Sequence, residues 1–402
     1  MRSTTRTVLS PEATARLFAN RKKEMAVALD LDAYDSYRRH LAAHRMAFDE
    51  QRSAFAVFGY ADVQHVMLDT EAFSSERSLK PDGSVDEVLG AGMLGTDPPR
   101  HRHLRSLSVQ AFTQKRVALL EPRIRDITRD LLDEFAGQET LDIIAGLAFP
   151  LPVTVIGELL GLPASDNATF HRWAEKFISN DPAVRISTAK EMAAYFDLLV
   201  TERTLHPHQD LISELVQVRV DGAELTRAEV VGTCLLLLLA GHETTMGLLG
   251  NALWCFEEFP DAQAEVAAHP ELIPAAIEEV LRYRGVVHYA PRVAKRAMRY
   301  LDHDLEAGDL VLPMFAAANL DSTQFPDPDR FDVHRAPNRH LGFGYGIHLC
   351  LGAALARLES KVALTELLAR YPKVRRDTSA PLELRPSTII FSLRRYVARL
   401  NG

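Results

Sequence analysis

Cys350 is the residue with the most chemistry within reach. It follows Gly342, Gly344 and Gly346 and precedes the apolar positions Leu351, Ala354, Leu355 and Leu358, whose spacing predicts a helix. A cysteine placed where a glycine-rich loop opens into a helix meets unpaired N–H groups and the positive end of the helix dipole, and both favour thiolate over thiol. A loop with so little side-chain bulk lets its backbone approach a ligand closely, and its glycines accept positive φ. Such a thiolate is suited to ligating a metal or a flat cofactor. The competing reading is a buried, inert thiol.

Other residues offer donors and acids at helical spacing. His101 and Arg105 share a face of the helix that Asp97-Pro98-Pro99 should open, and such a pair is ordinarily a solvated edge. The apolar run Leu235 to Leu239 breaks abruptly into Gly241, His242, Glu243, Thr244 and Thr245. Threonines there can simply bond back to the preceding turn and bend the helix. Burying a glutamate as well is costly unless something needs it. Glu279 and Arg282 form a helical ion pair, a very common feature that says little alone.

The elements that must position these groups follow from capping and periodicity. Thr226-Arg227-Ala228-Glu229 is a capping box, and Pro260 ends the pattern, so a helix is expected to Glu258. Roughly 30 residues would span about 45 to 50 Å, enough to cross a domain. Strands are expected at Ser53 to Phe58 and Val311 to Met314, with a helix over Ala61 to Leu68 and a closing hairpin over Pro386 to Leu400. Residues 1–52 read as a polar lead with helical segments, 117–205 as mostly helical, and 76–96 as a loop-rich segment. The 402-residue chain is 47% hydrophobic with a net charge of −8, which supplies a large core and no reason to expect nucleic acid. Its three cysteines have no metal-type spacing and suit a reducing compartment. The longest apolar stretch, Val230 to Ala240, falls short of a bilayer span. A cytoplasmic location is expected.

The segment Phe343-Gly344-Tyr345-Gly346-Ile347-His348-Leu349-Cys350-Leu351-Gly352, followed by Leu355-Ala356-Arg357, resembles the haem-binding signature of the cytochrome P450 family. From residue 53 to the end, the other motifs occur in the family's order. The resemblance implies Cys350 as the axial thiolate of haem b. It implies His101, Arg105, Arg292 and His348 at the propionates, with Phe343, Gly344, Gly352 and Ala240 against the ring. Ala240-Gly241-His242-Glu243-Thr244 matches the oxygen-activating segment, with Thr244 as the hydroxyl and Glu243 as the proton relay. Glu279 and Arg282 match the family's Glu-x-x-Arg, and Arg330 of Pro328-Asp329-Arg330-Phe331 matches the arginine that completes its buried triad. Leu320 departs from the pattern, standing where relatives usually carry arginine or histidine.

The same resemblance implies one large domain over 1–402, mainly α with a smaller β-rich part, and haem between the long central helix and the cysteine loop. The pocket is expected from 76–96 (Met93 and Leu94 among them), Leu236, Val286, Val287, His288, Tyr289, Ile390 and Phe391, a mainly aliphatic set suited to a steroid, terpenoid or fatty acid. A glycosylated macrolide is the alternative. No flavin or iron–sulfur module is evident, so electrons are expected from NAD(P)H through a separate ferredoxin reductase and ferredoxin. Between Asp97 and Asp126 the basic residues, including Arg100, Arg102, Lys115, Arg116, Arg123 and Arg125, give a local +4 that would suit an acidic ferredoxin. A peroxide-using hydroxylase would lack the Glu243–Thr244 pair. A haem-thiolate sensor, the alternative from a different class, would need neither that pair nor a cavity.

Overall fold

The structure is a computed structural model that describes residues 33–400 apart from 51, 77–91, 110–111, 178, 180, 220–223, 386 and 388. The lead over 1–32 and most of the expected wall at 76–96 lie outside the described residues. In chain order the described helices are α1 Ala33–Ala43, α2 Tyr60–Leu68, α3 Arg100–Val109, α4 Gln114–Leu119, α5 Glu121–Asp133, α6 Pro150–Leu160, α7 Asn167–Phe177, α8 Pro182–Leu205, α9 Leu211–Gln217, α10 Arg227–Glu258, α11 Pro260–Ala268, α12 Ile273–Tyr283, α13 Phe315–Ala318 and α14 Ala353–Arg370.

Helix α10 is the axis of the core. Thr226 Oγ1 accepts the Glu229 N–H while Glu229 Oε2 accepts the Thr226 N–H at 2.8 Å, so the capping box forms as its residues imply. Leu235, Leu238, Leu249 and Phe256 are buried along it, and α6, α8, α12 and α14 pack around it. By length and composition α10 is apolar enough to cross a membrane, but two thirds of that window is buried inside the protein. It is the core helix of the fold.

The strands make a separate layer. In chain order the described strands are β1 Met46–Asp49, β2 Ala54–Val57, β3 Phe73–Ser74, β4 Thr140–Asp142, β5 Arg292–Ala294, β6 Met298–Tyr300, β7 His303–Leu305, β8 Leu310–Pro313, β9 Arg375–Arg376, β10 Glu383–Leu384, β11 Leu393–Arg395 and β12 Val397–Arg399; five of them form one sheet in the order β1-β2-β8-β5-β3, with β2 and β8 parallel and Phe55 opposite Val311. The fold is therefore mainly α with a smaller β part, as expected. The tail differs in detail. Leu393–Arg395 pairs back to Glu383–Leu384, and Val397–Arg399 pairs instead with Thr140–Asp142 and Arg375–Arg376. The hairpin expected from Pro386 thus begins earlier, at Glu383, and Pro386 itself lies outside the described residues.

Beneath the cysteine loop, Glu278 of α12 receives both Arg357 Nε (2.7 Å) and Nη2 (2.8 Å) from α14, together with His340 Nε2 at 3.0 Å. Burial acts to raise the Glu278 pKa, but these donors overcome it and hold the carboxyl down at about 2. A folded-state pKa below the unfolded value stabilises the fold above about pH 4.5, and that contribution fades as pH falls towards 2. Acid titration followed by ellipticity should therefore be steeper for the native chain than for Glu278→Gln in that window. Equal slopes would discard this contact as an acid-sensitive clasp.

Candidate active site

The loop before α14 is closed by the Cys350 N–H donating to Phe343 O at 2.9 Å and the Gly344 N–H to Leu341 O at 2.8 Å. Gly344 (φ 74°) and Gly346 (φ 69°) lie in the left-handed region, and a Cβ on Gly346 would stand 3.0 Å from Met67 O. Only a backbone free of side chains fits between α2 and the loop. Cys350 is exposed, and Leu349 beside it is 47% exposed despite its apolar character. The enclosing protein pushes the Cys350 thiol up; the Gly352 N–H and the Arg105 and Arg357 guanidiniums pull it back without cancelling the shift.

Arg357 also lies over the Phe343 ring, 4.5 Å from its centroid, so one side chain fixes the loop through both Glu278 and Phe343. Sequence reasoning passed over Glu278 and His340, though Arg357 stood within the recognised signature.

A second group gathers beside the loop. His101 and His348 have ring centroids 4.2 Å apart, and His348 Nε2 meets Ser75 Oγ at 2.9 Å. Burial, then the charge of Arg105, lowers the His101 pKa; burial, then Arg292, brings His348 to about 3. His101 Nε2 is buried with no partner, and Arg292 Nη1 donates to Pro291 O at 3.0 Å. The nearby carboxylate, Asp97, is already engaged by Ser74 Oγ (2.6 Å), the Ser75 N–H (2.8 Å) and Lys295. His101, Arg105 and Arg292 bring donor groups to one place, a set that would suit a ligand carrying carboxylates.

On α10, whose length is otherwise largely buried, Ala240 is exposed and Leu236, Gly241, Glu243 and Thr244 are part-exposed. These recur at helical spacing and form one bare stripe. Thr244 Oγ1 donates to Ala240 O at 2.7 Å, which occupies its proton and leaves its lone pairs available. His242 is buried, with Nδ1–H donating to Leu238 O at 2.7 Å, and burial brings its pKa to about 4. Burial raises the Glu243 pKa against the pull of Arg385 and Arg185.

An accessible thiol, a helix stripe without bulk and a donor-rich end fit haem, which Cys350 would hold by its sulfur while His101, Arg105, Arg292 and His348 would serve its carboxylates. The comparisons agree. The Cytochrome P450 family profile matches residues 32–160 and 169–395. The chain belongs to the cytochrome P450 family. As a P450 it is a monooxygenase-type oxidoreductase that uses haem. Its relatives include Cyclomarin C epoxidase CymV of Salinispora arenicola, 41% identical over 84% of this chain and 87% of that one. Another is Erythromycin C-12 hydroxylase of Saccharopolyspora erythraea, 41% identical over 82% and 85%. Among solved structures, CYP109E1 from Bacillus megaterium in complex with testosterone has a TM-score of 0.85 at 35% identity, covering 92% of this chain and 99% of that one.

Within the P450 framework three expectations need correction. First, Arg330 does not complete the triad. Its side chain is 71% exposed and approaches only Asp332, at 3.8 Å. Arg335 takes the place, donating Nε to Glu279 Oε1 at 3.2 Å beside the paired Arg282 (2.9 and 2.8 Å), while Arg330 contributes its backbone carbonyl to Arg282. Asn338 Nδ2 and the Asp332 N–H also reach Glu279. Leu320, the departure from the family pattern, is buried near Tyr34 and Phe391.

Second, the expected polar pocket residues face elsewhere. The 286–290 segment bridges Ile390 through Val287 and Met314 through Tyr289, and its polar side chains are buried against other partners. His288 Nδ1 meets Tyr37 Oη at 2.8 Å and its ring stacks on Phe391, which also stacks on Trp254. Tyr289 packs with Ala54, Ala56 and Leu312, and Val286 lies against Gly247. Met93, Leu94, Leu236, Val287 and Ile390 retain exposed surface, as wall residues would. Third, the basic run is largely matched by acids distant in sequence: Arg100 pairs with Glu229, Arg116 with Glu214, Arg123 with Glu158 and Arg125 with Glu366.

Proposed function

We propose that this single-domain P450 hydroxylates an unactivated C–H bond of a lipophilic small molecule, working in the cytoplasm with electrons from NAD(P)H through a separate ferredoxin reductase and ferredoxin. The observation that carries the reading is the Glu243–Thr244 pair on the bare stripe of α10. Cys350 would hold haem, which would supply the oxidising chemistry for the C–H bond. Glu243, part-shielded from solvent and so protonated more readily than an exposed glutamate, offers a proton beside the stripe. The Thr244 lone pairs receive and orient a proton-bearing group there. The aliphatic stripe and the part-exposed Met93, Leu94, Val287 and Ile390 exclude water and favour an apolar substrate.

Steroids, terpenoids and fatty acids are the proposed substrate classes; the testosterone complex of CYP109E1 supports the first of them. The macrolide-tailoring relative supports an alternative, a larger macrolide. Reconstitution with the redox chain and representatives of each class, with product analysis, tests this. In that assay Thr244→Ala should bind haem normally but divert reducing equivalents to hydrogen peroxide, cutting product per NAD(P)H, because positioned proton transfer is worth about 10²–10⁴-fold in rate. Unchanged coupling would reduce Thr244 to a helix-bending residue.

A further inference from the structure

Three part-exposed charges act on one another beside α10: Glu243 from the helix, Arg385 from the turn between β10 (Glu383–Leu384) and β11 (Leu393–Arg395), and Arg185 from the first turn of α8. Both arginines act electrostatically on the Glu243 carboxyl, yet neither makes an ion pair or a hydrogen bond to a carboxylate among the described residues. Arg385 Nη2 reaches only Met246 Sδ, a weak acceptor, at 3.8 Å. Arg185 lies over the Phe177 ring, 5.2 Å from its centroid. The Nε of each is shielded from solvent and lacks an acceptor. Directly across the hairpin, where the Arg385 N–H donates to Ser392 O at 2.9 Å, Ser392 Oγ is also buried without a partner.

Buried guanidinium donors without acceptors are costly and uncommon, and here two approach one helix from different directions. Against one carboxyl they leave an excess of positive charge. Resting on the P450 reading above, we propose that Arg385 and Arg185 anchor the carboxylate of a lipophilic acid whose apolar body lies along the Leu236–Ala240–Thr244 stripe. A guanidinium fork matches a carboxylate in shape as well as charge, and both arginines would gain the acceptors they lack. The anion would also release Glu243 from their pull and favour its protonated form, coupling substrate entry to the proton store. Cationic substrates, including macrolides bearing amino sugars, would meet two like charges. Acids therefore move ahead of neutral steroids in the expected order.

The test is calorimetric titration of the haem-loaded full chain with dodecanoate and deoxycholate, each beside its methyl ester. At least one acid should bind about tenfold or more tightly than its ester, as expected for a charge-assisted bond. Arg385→Gln and Arg185→Gln should each remove most of that difference while leaving ester affinity within about twofold, and Arg385→Lys should restore part of it. The reduced carbon monoxide band, unchanged in each variant, shows that the fold and haem are intact. Equal affinity for acid and ester, equal losses for both in the variants, or no binding by any of the four probes would overturn the anchor and leave the haem-thiolate reading standing. A native chain without that band would sink the haem-thiolate reading instead.

Discussion

Cys350→Ser is expected to abolish the red-shifted band of the reduced carbon monoxide complex and, with it, monooxygenase turnover. The fold should survive, because the side chain is exposed and its loop is held by other groups: the Phe343 carbonyl, the Gly344 N–H and the Arg357–Glu278 pair. No other cysteine can substitute. Cys234 and Cys255 are both fully buried in α10, and burial raises the pKa of each, to about 12 for Cys255. Far-ultraviolet circular dichroism, haem content and the carbon monoxide spectrum together separate loss of the ligand from loss of structure. Retention of the red-shifted band in the variant would remove Cys350 from the iron.

The second large effect is on stability. Glu279 is fully buried and accepts from Arg282, Arg335, Asn338 and the Asp332 backbone, so Glu279→Ala leaves one fully and one largely buried guanidinium without their counter-charge. Breaking such a pair costs about 3–5 kcal/mol. Arg335→Ala should also destabilise clearly, whereas Arg330→Ala, at an exposed side chain, should stay within about 0.5 kcal/mol of the native chain. Urea melts of the three variants decide the matter. A large loss for Arg330→Ala with little for Arg335→Ala would reverse the assignment. The network also reaches the site: Arg282 Nη1 donates to Asn319 O, and Asn319 Oδ1 accepts the Leu341 N–H at 2.7 Å, where the cysteine loop begins.

The pattern of what could be read from sequence follows from range. Helix α10 was readable because its start is a local contact, Thr226 with Glu229, and Pro260 marks its end. The cysteine loop was readable because glycine is required at positive φ. Arg335 was missed because choosing between it and Arg330 depends on how the chain folds back on Glu279, which spacing near Phe331 does not encode. His288 was misplaced because the way the 286–290 segment turns its side chains depends on its bridges to Ile390 and Met314. Arg185 and Arg385 escaped notice for another reason: a charged residue is ordinarily solvent-facing, and only tertiary structure reveals one shielded without an acceptor.

The parallel pairing of β2 with β8 bears on how the protein is made. Ala54–Val57 is buried throughout, yet its partner Leu310–Pro313 emerges from the ribosome only after most of the chain. Until then one edge of an apolar strand stands open, a template for pairing with other chains. Contacts of such long separation also close slowly. Yield of soluble protein should therefore depend on the rate of synthesis and on chaperones that shield the nascent β1–β2 hairpin. Haem acquisition belongs late in assembly, since Ser75 and His348, which meet at the site, come from the two ends of that same closure.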